Sequence, residues 1–342
     1  MENKRDVLVD VLRGIAVLAV LLGHAIQRGM VVNYEENIIF KIIYSFHMPL
    51  FMLLSGYSLY KYTKKYDLEF FKKRFFRLII PTIVWSYLIY FVRNFEFVGI
   101  KEFIPFPDSI IEYTRILLWH PDYIIWFLYI VFICNIIFGL QKKLINEKLS
   151  IIVTILITIG LYLLPKENFG IARLQIYFPI FSLGYYLAMY FEKIRKYLNY
   201  MLIPSVIAYI MLFPFYNVII DNVIVFYSIS ISAMIILYYI VKVINNRKIN
   251  EILCFFGKKS LEIYLCQCVC LNLGIGTGII RVISIFITAT VISLLLTYVT
   301  NKFKITKILL YGKIGGKNEQ LLYHGRIKKD RNKKNRKECI YQ

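Results

Sequence analysis

"DVLVDVLRGIAVLAVLLGHAIQRGM" (Asp6–Met30) is apolar over a length that crosses a bilayer, yet it carries Asp10, Arg13 and His24. A transmembrane helix needs about 20 apolar residues. A charged side chain near its centre costs about 2.5–3.5 kcal/mol. No small-residue cleavage site follows the run, so it reads as a retained span and not a removable signal. At about 100° per residue, Asp10, Arg13 and His24 fall close to one helix face. Asp10 and Arg13 are three apart and can pair side by side. Arg13 and His24 are about three turns, or roughly 16 Å, apart along the axis, with Val17 and Val20 between them. The face is a polar seam with an ionisable imidazole at one end. Histidine is the side chain best suited to move a proton near neutral pH.

Outward from this run, similar runs recur to the end of the chain. Of 342 residues 58% are apolar, and the mean hydropathy is +0.60. Continuous runs favour helices over a membrane barrel, whose strands alternate over about 10 residues. A helix also satisfies its own backbone in lipid. The expected fold is an all-α integral membrane protein with about ten transmembrane helices, near residues 7–27, 38–60, 78–95, 123–140, 149–164, 174–191, 201–214, 222–241, 260–276 and 279–301. An even number puts both termini on one side. Segments 61–77, 141–148, 192–200, 242–259 and 302–342 carry net charges of +5, +2, +2, +4 and +10. Segments 28–37, 93–122 and 214–222 carry −1, −2 and −1. The positive-inside rule then makes both termini cytoplasmic in a multi-pass plasma-membrane protein. It also accounts for the net charge of +21. Residues 1–301 read as one transmembrane domain and 302–342 as a basic cytoplasmic tail. "RIKKDRNKKNRK" in that tail suits anionic membrane lipids, and no nucleic-acid partner is expected. The six cysteines, Cys134, Cys254, Cys266, Cys268, Cys270 and Cys339, have no zinc-type spacing, and no metal is expected.

The second run, "FHMPLFMLLSGYSL" (Phe46–Leu59), puts His47 within the bilayer, with Ser55 and Gly56 nearer the basic side. Gly56 reads as a point of close helix approach. Ser55 has no identifiable base beside it that would make it a nucleophile. "FFKKRFFRLIIP" (Phe70–Pro81) follows, with Lys72, Lys73, Arg74 and Arg77 among aromatics just before a span. Arg74 and Arg77 are three apart and share a face. Arginine suits bidentate phosphate binding.

These stretches, with "WFL" at Trp126–Leu128 and "GKKSLEIYL" at Gly257–Leu265, resemble acyltransferase family 3 over roughly residues 5–300. The resemblance implies a membrane-bound O-acyltransferase that moves an acyl group, usually acetyl, from cytoplasmic acyl-CoA to a hydroxyl of an extracytoplasmic glycan or lipid-linked sugar. It implies no permanently bound cofactor, since acyl-CoA is the donor substrate. His24 would be the base, assisted by Arg13 and Asp10. Arg13, Lys73, Arg74 and Arg77 would meet the donor phosphates, and His47, Ser55, Tyr57 and Trp126 would line the site. Tyr57, Tyr123 and Trp126 are candidate donors to the oxyanion. Transfer would be direct or through an acyl-histidine. Many relatives carry a histidine after the "YL" of the ninth span; here the sequence is "YLCQCVC", with Gln267 in that neighbourhood and Glu262 nearby. The rival reading is a polysaccharide exporter or other multi-span transporter, which an intramembrane Arg and His would also suit.

Overall fold

The computed structural model describes residues 6–30, 33–95, 105–216 and 222–313. The motif "RIKKDRNKKNRK", Cys339 and part of the loop 93–122 lie outside the described residues. Among the described residues all regular structure is helical. Helix α1 (Val7–Gly29) begins where the Asp6 side chain accepts from Leu8 N. It is followed by α2 (Ile38–Tyr62), capped in the same way by Asn37, and α3 (Leu68–Val92). Next come α4 (Ile110–Trp119), α5 (Trp126–Leu144), α6 (Glu147–Leu163) and α7 (Ile171–Met189). The chain continues with α8 (Phe191–Leu212), α9 (Val223–Ile244), α10 (Arg247–Lys258), α11 (Ser260–Cys266), α12 (Gly278–Thr300) and α13 (Lys304–Tyr311). Seven of these helices are long and apolar enough to cross a membrane: α1, α2, α3, α5, α8 (extended to Phe215), α9 and α12.

Three of the ten expected spans fall outside that group. Helix α6 has only 17 residues. Helix α7 is diluted by Arg173 and Gln175, and its setting explains why this is tolerated. Gln175 is buried and its amide donates to the carbonyls of Leu161 and Leu164 at the end of α6 (2.8 and 3.1 Å). The third exception is the expected ninth span, 260–276. Its helix stops at Cys266, makes one 3₁₀ turn over Gln267–Val269, and continues as irregular chain. Backbone in an apolar layer must find partners, and α12 supplies them. Thr288 donates to the Leu273 carbonyl (2.6 Å), and Ser284 donates to the Ile275 carbonyl while accepting from its N–H (both 2.9 Å).

The expected third span also starts earlier than its apolar run. Asp67 accepts from Phe70 N (2.9 Å), so the basic stretch lies inside α3 and not ahead of it. The turn Phe75–Ile79 is widened to a π-type turn. Pro81 follows within four residues of Arg77 and lacks the N–H that an α-turn would use there.

Two helix contacts are set by glycine. A Cβ on Gly14 of α1 would lie 2.0 Å from the Leu253 carbonyl oxygen of α10, and one on Gly257 would lie 1.8 Å from that of Asp10. Helix α2 meets α7 in the same reciprocal way, through Gly56 and Gly184. Bare backbones therefore touch, as close helix packing in membranes favours. The folded body continues beyond Asn301, into the segment expected to be tail. Helix α13 returns onto α3, where Trp85 Nε1 donates to the Leu310 carbonyl (2.9 Å). Tyr311 is fully buried, bonded to Thr300 (2.7 Å) and to the Cys266 thiol (3.2 Å). Asp6 pairs with Lys61 at the end of α2, and Gly312 lies against Phe76 and Arg77. Both ends of the described chain thus sit at one end of the bundle, the basic one.

Candidate active site

Arg13 reaches across from α1 to α2, where Nη2 donates to Ser58 Oγ (2.8 Å). Asp10, one turn earlier, is only 2% exposed and sits where α10 presses on α1. Arg74 is half-buried, its guanidinium 5.2 Å from the Phe70 ring, and its Nη2 donates to Thr63 Oγ1 (3.3 Å). It lies close enough to Arg77 and Arg13 to feel both charges. Three guanidinium groups from two helices therefore gather at the basic end. Lys73 does not point the same way: it pairs with Glu69 one turn back (2.8 Å), both side chains being 68% exposed. Tyr57 is buried and its hydroxyl accepts from Lys61 (2.9 Å) at this same end, away from the imidazoles.

At the other end of α1, His24 Nδ1 lies 2.8 Å from Gln27 Oε1. With the amide oxygen accepting, Nδ1 carries the proton and Nε2 presents its lone pair. His47 is buried at 6% exposure, with Nδ1 donating to the Ile43 carbonyl (2.8 Å). Tyr44 lies between His47 and α1. Its ring packs edge-on to His47 (4.6 Å between centroids) and against Gly23, where a Cβ would come within 2.9 Å of it. His47 lies within range of the His24 charge, and His24 within range of the Arg28 charge. Ser55 is elsewhere and occupied: its hydroxyl donates to the Phe51 carbonyl one turn back (2.7 Å). Trp126 opens α5 and stacks on Tyr177 (4.8 Å), with the exposed Arg173 guanidinium 4.8 Å from its ring. Tyr123 is tied into the preceding loop through the Pro105 carbonyl. Phe127 joins Phe51 of α2 (5.6 Å) and Tyr264 of α11 (5.7 Å), so "FHMPLF", "WFL" and "EIYL" converge on one aromatic cluster.

Between the two ends, Val17 and Val20 are 0% and 2% exposed, so the face joining Arg13 to His24 is apolar and packed. Glu262 is buried and ion-paired to Lys313 just past α13. Gln267 is also buried, with no partner for its Oε1 among the described residues. Ser58, Thr63 and Gln27 were not singled out by the sequence reading. Gln27 had a local signal, since it lies three residues beyond His24 on the same face. Ser58 and Thr63 had none, because their partners are 45 and 11 residues away.

Nodulation protein NolL of Sinorhizobium fredii (strain NBRC 101917 / NGR234) is 30% identical over 203 residues, 56% of this chain and 51% of the relative. Nodulation protein NolL of Mesorhizobium japonicum (strain LMG 29417 / CECT 9101 / MAFF 303099) is 26% identical over 190 residues, 54% and 48% respectively. The chain spans about half the length of these curated relatives. No solved structure matches it. The acyltransferase domain family (Acyl_transf_3) matches residues 6–302, a stretch that begins at the cap of α1 and closes after α12. With both ends of the seam and the converging motifs inside that match, the chain belongs to acyltransferase family 3.

Proposed function

We propose that this protein moves an acyl group, acetyl in the expected case, from cytoplasmic acyl-CoA to a hydroxyl of a glycan or lipid-linked sugar beyond the membrane. The observation that carries the reading is α1 itself. One helix ties Arg13 into a cluster of guanidinium groups at the basic end and presents an imidazole lone pair about three turns away. The family match supports acyl transfer. The charge distribution supports a cytoplasmic basic end. The donor's phosphates suit Arg13, Arg74 and Arg77, and its arm follows the face of Val17 and Val20, whose side chains must part to admit it.

In the proposed reaction His24 Nε2 takes the proton of the acceptor hydroxyl as its oxygen attacks the thioester carbonyl. The C–S bond then breaks, and the imidazolium returns that proton to the departing thiolate. The products are the sugar ester and free coenzyme A. Gln27 keeps the imidazole in the tautomer that starts this cycle. Trp126, backed by Tyr177, and the exposed Arg173 beside its ring would line the acceptor side.

Sealed vesicles test activity and sidedness together. Labelled acetyl-CoA added to inside-out vesicles should label an acceptor within. The same addition to right-side-out vesicles should not. Labelling from the right-side-out face alone would overturn the donor path. The donor mouth has its own test. Arg74→Ala with Arg77→Ala should weaken coenzyme A binding by about tenfold or more, as loss of charge-assisted hydrogen bonds does. Rising salt should weaken the wild type more than the variant, because these charges are only partly buried. Unchanged affinity in the purified double variant would return both arginines to a headgroup-anchoring role.

A further inference from the structure

A cavity of about 510 Å³ lies at the basic end, between the end of α2 and the end of α5, lined by Tyr60, Thr63, Lys64, Tyr66, Lys142 and Lys143. Its size is within the range of small-molecule sites, ~300–1,000 Å³. Both helices end here, at Tyr62 and Leu144, so their termini present carbonyls and not N–H groups. Any anion in the cavity is therefore held by side chains alone. Lys142 is shared with Glu147 (3.2 Å) and lies 6.0 Å from the Tyr60 ring centroid. Among the described residues no carboxylate pairs with Lys64 or Lys143, which leaves the cavity with surplus positive charge. The rings are fixed from behind: Tyr60 by Tyr185 (5.3 Å), and Tyr66 by Phe70 (5.0 Å) and by its bond to the Leu59 carbonyl (3.3 Å). Thr63 forms the wall shared with the arginines, since it accepts from Arg74.

We propose that this cavity holds the nucleotide end of the donor, with Lys142 and Lys143 on the phosphate ester of the ribose and the base against a tyrosine ring. This rests on the acyl-CoA reading above and divides the donor between two sets of cations. The lysines take the 3′-phosphate, and the arginines take the diphosphate that leads to the arm. Lysine suits the first role as a point charge, and arginine suits the second as a planar fork.

The probe is the pair coenzyme A and dephospho-coenzyme A, which differ only in the 3′-phosphate. Purified wild-type protein should bind coenzyme A about tenfold tighter, the effect of one charge-assisted contact at a partly exposed site. Lys142→Gln with Lys143→Gln should bind both equally, at the affinity the wild type shows for the dephospho form. Lys143→Gln alone, at an exposed position, should lose part of the preference and guards against a misfolded double variant. Equal binding of the two ligands by the wild type would overturn the proposal, and so would a preference that survives in the double variant. The same measurements in phosphatidylcholine nanodiscs, with and without phosphatidylglycerol, separate nucleotide from headgroup. A preference present in both supports the cavity as a nucleotide site. Lysine variants that change only the response to phosphatidylglycerol assign the cavity to lipid. If the arginine variants weaken coenzyme A while the lysine variants keep the preference, this inference fails and the acyl-CoA reading stands. If the wild type binds no coenzyme A, both fail.

Discussion

His24→Ala is expected to lower acyl transfer by about 10²–10⁴-fold, the usual contribution of a positioned general base. The variant should still insert, because removing a polar group from an apolar helix makes membrane entry no harder. It should still bind coenzyme A, because the guanidinium cluster lies about three turns away. Gln27→Ala should reduce transfer less and shift its pH–rate profile, since Gln27 acts only through the imidazole it holds. The strain experiment compares surface glycan and its ester content in wild type, His24→Ala and a deletion. Normal amounts of glycan without the ester support acyl transfer. Less glycan at the surface with its ester content intact would point to an exporter and sink the acyltransferase assignment.

The second large effect is on the scaffold. Gly257→Leu places a side chain where α10 and α1 touch backbone to backbone, with its Cβ 1.8 Å from the Asp10 carbonyl oxygen. No rotamer relieves a clash that starts at Cβ, so the helices must separate. Overpacking costs typically ~1–3 kcal/mol, and more where backbone has to move. Since α1 carries both Arg13 and His24, a shifted α1 should impair donor binding and transfer together. A fall in detergent melting temperature and in coenzyme A affinity is the expected result. Gly160→Leu is the control, because nothing lies within 4 Å of a Cβ there. Equal behaviour of the two variants would mean that the α1–α10 contact is not a fixed part of the fold.

The spans that the sequence places best are those whose apolar runs match their helices. α1, α2 and α12 fall within a few residues of expectation because each is a long apolar run that starts just after a polar residue, Asp6, Asn37 or Thr277. α4 and α10 were not expected, since charges or short length hide them from a hydropathy reading. α13 was hidden for the same reason: Lys302, Lys304 and Lys307 made the segment read as tail, although Tyr311 is buried at its end. The helix-period argument put Arg13 and His24 on one seam, and it brought Arg74 toward Arg77. It could not show that Lys73 faces outward to Glu69. Nor could it join Lys64 to Lys143, which are 79 positions apart and meet only because α2 and α5 end side by side.

The irregular chain after α11 bears on how the protein is made. The Leu273 and Ile275 carbonyls are satisfied by hydroxyls of Thr288 and Ser284, which the ribosome adds later. Until α12 is beside it, this segment has no local way to cover those groups and cannot enter lipid alone. It must wait at the translocon or the membrane edge and go in with α12 as a pair. For this part of the chain, the order of synthesis and the order of integration differ.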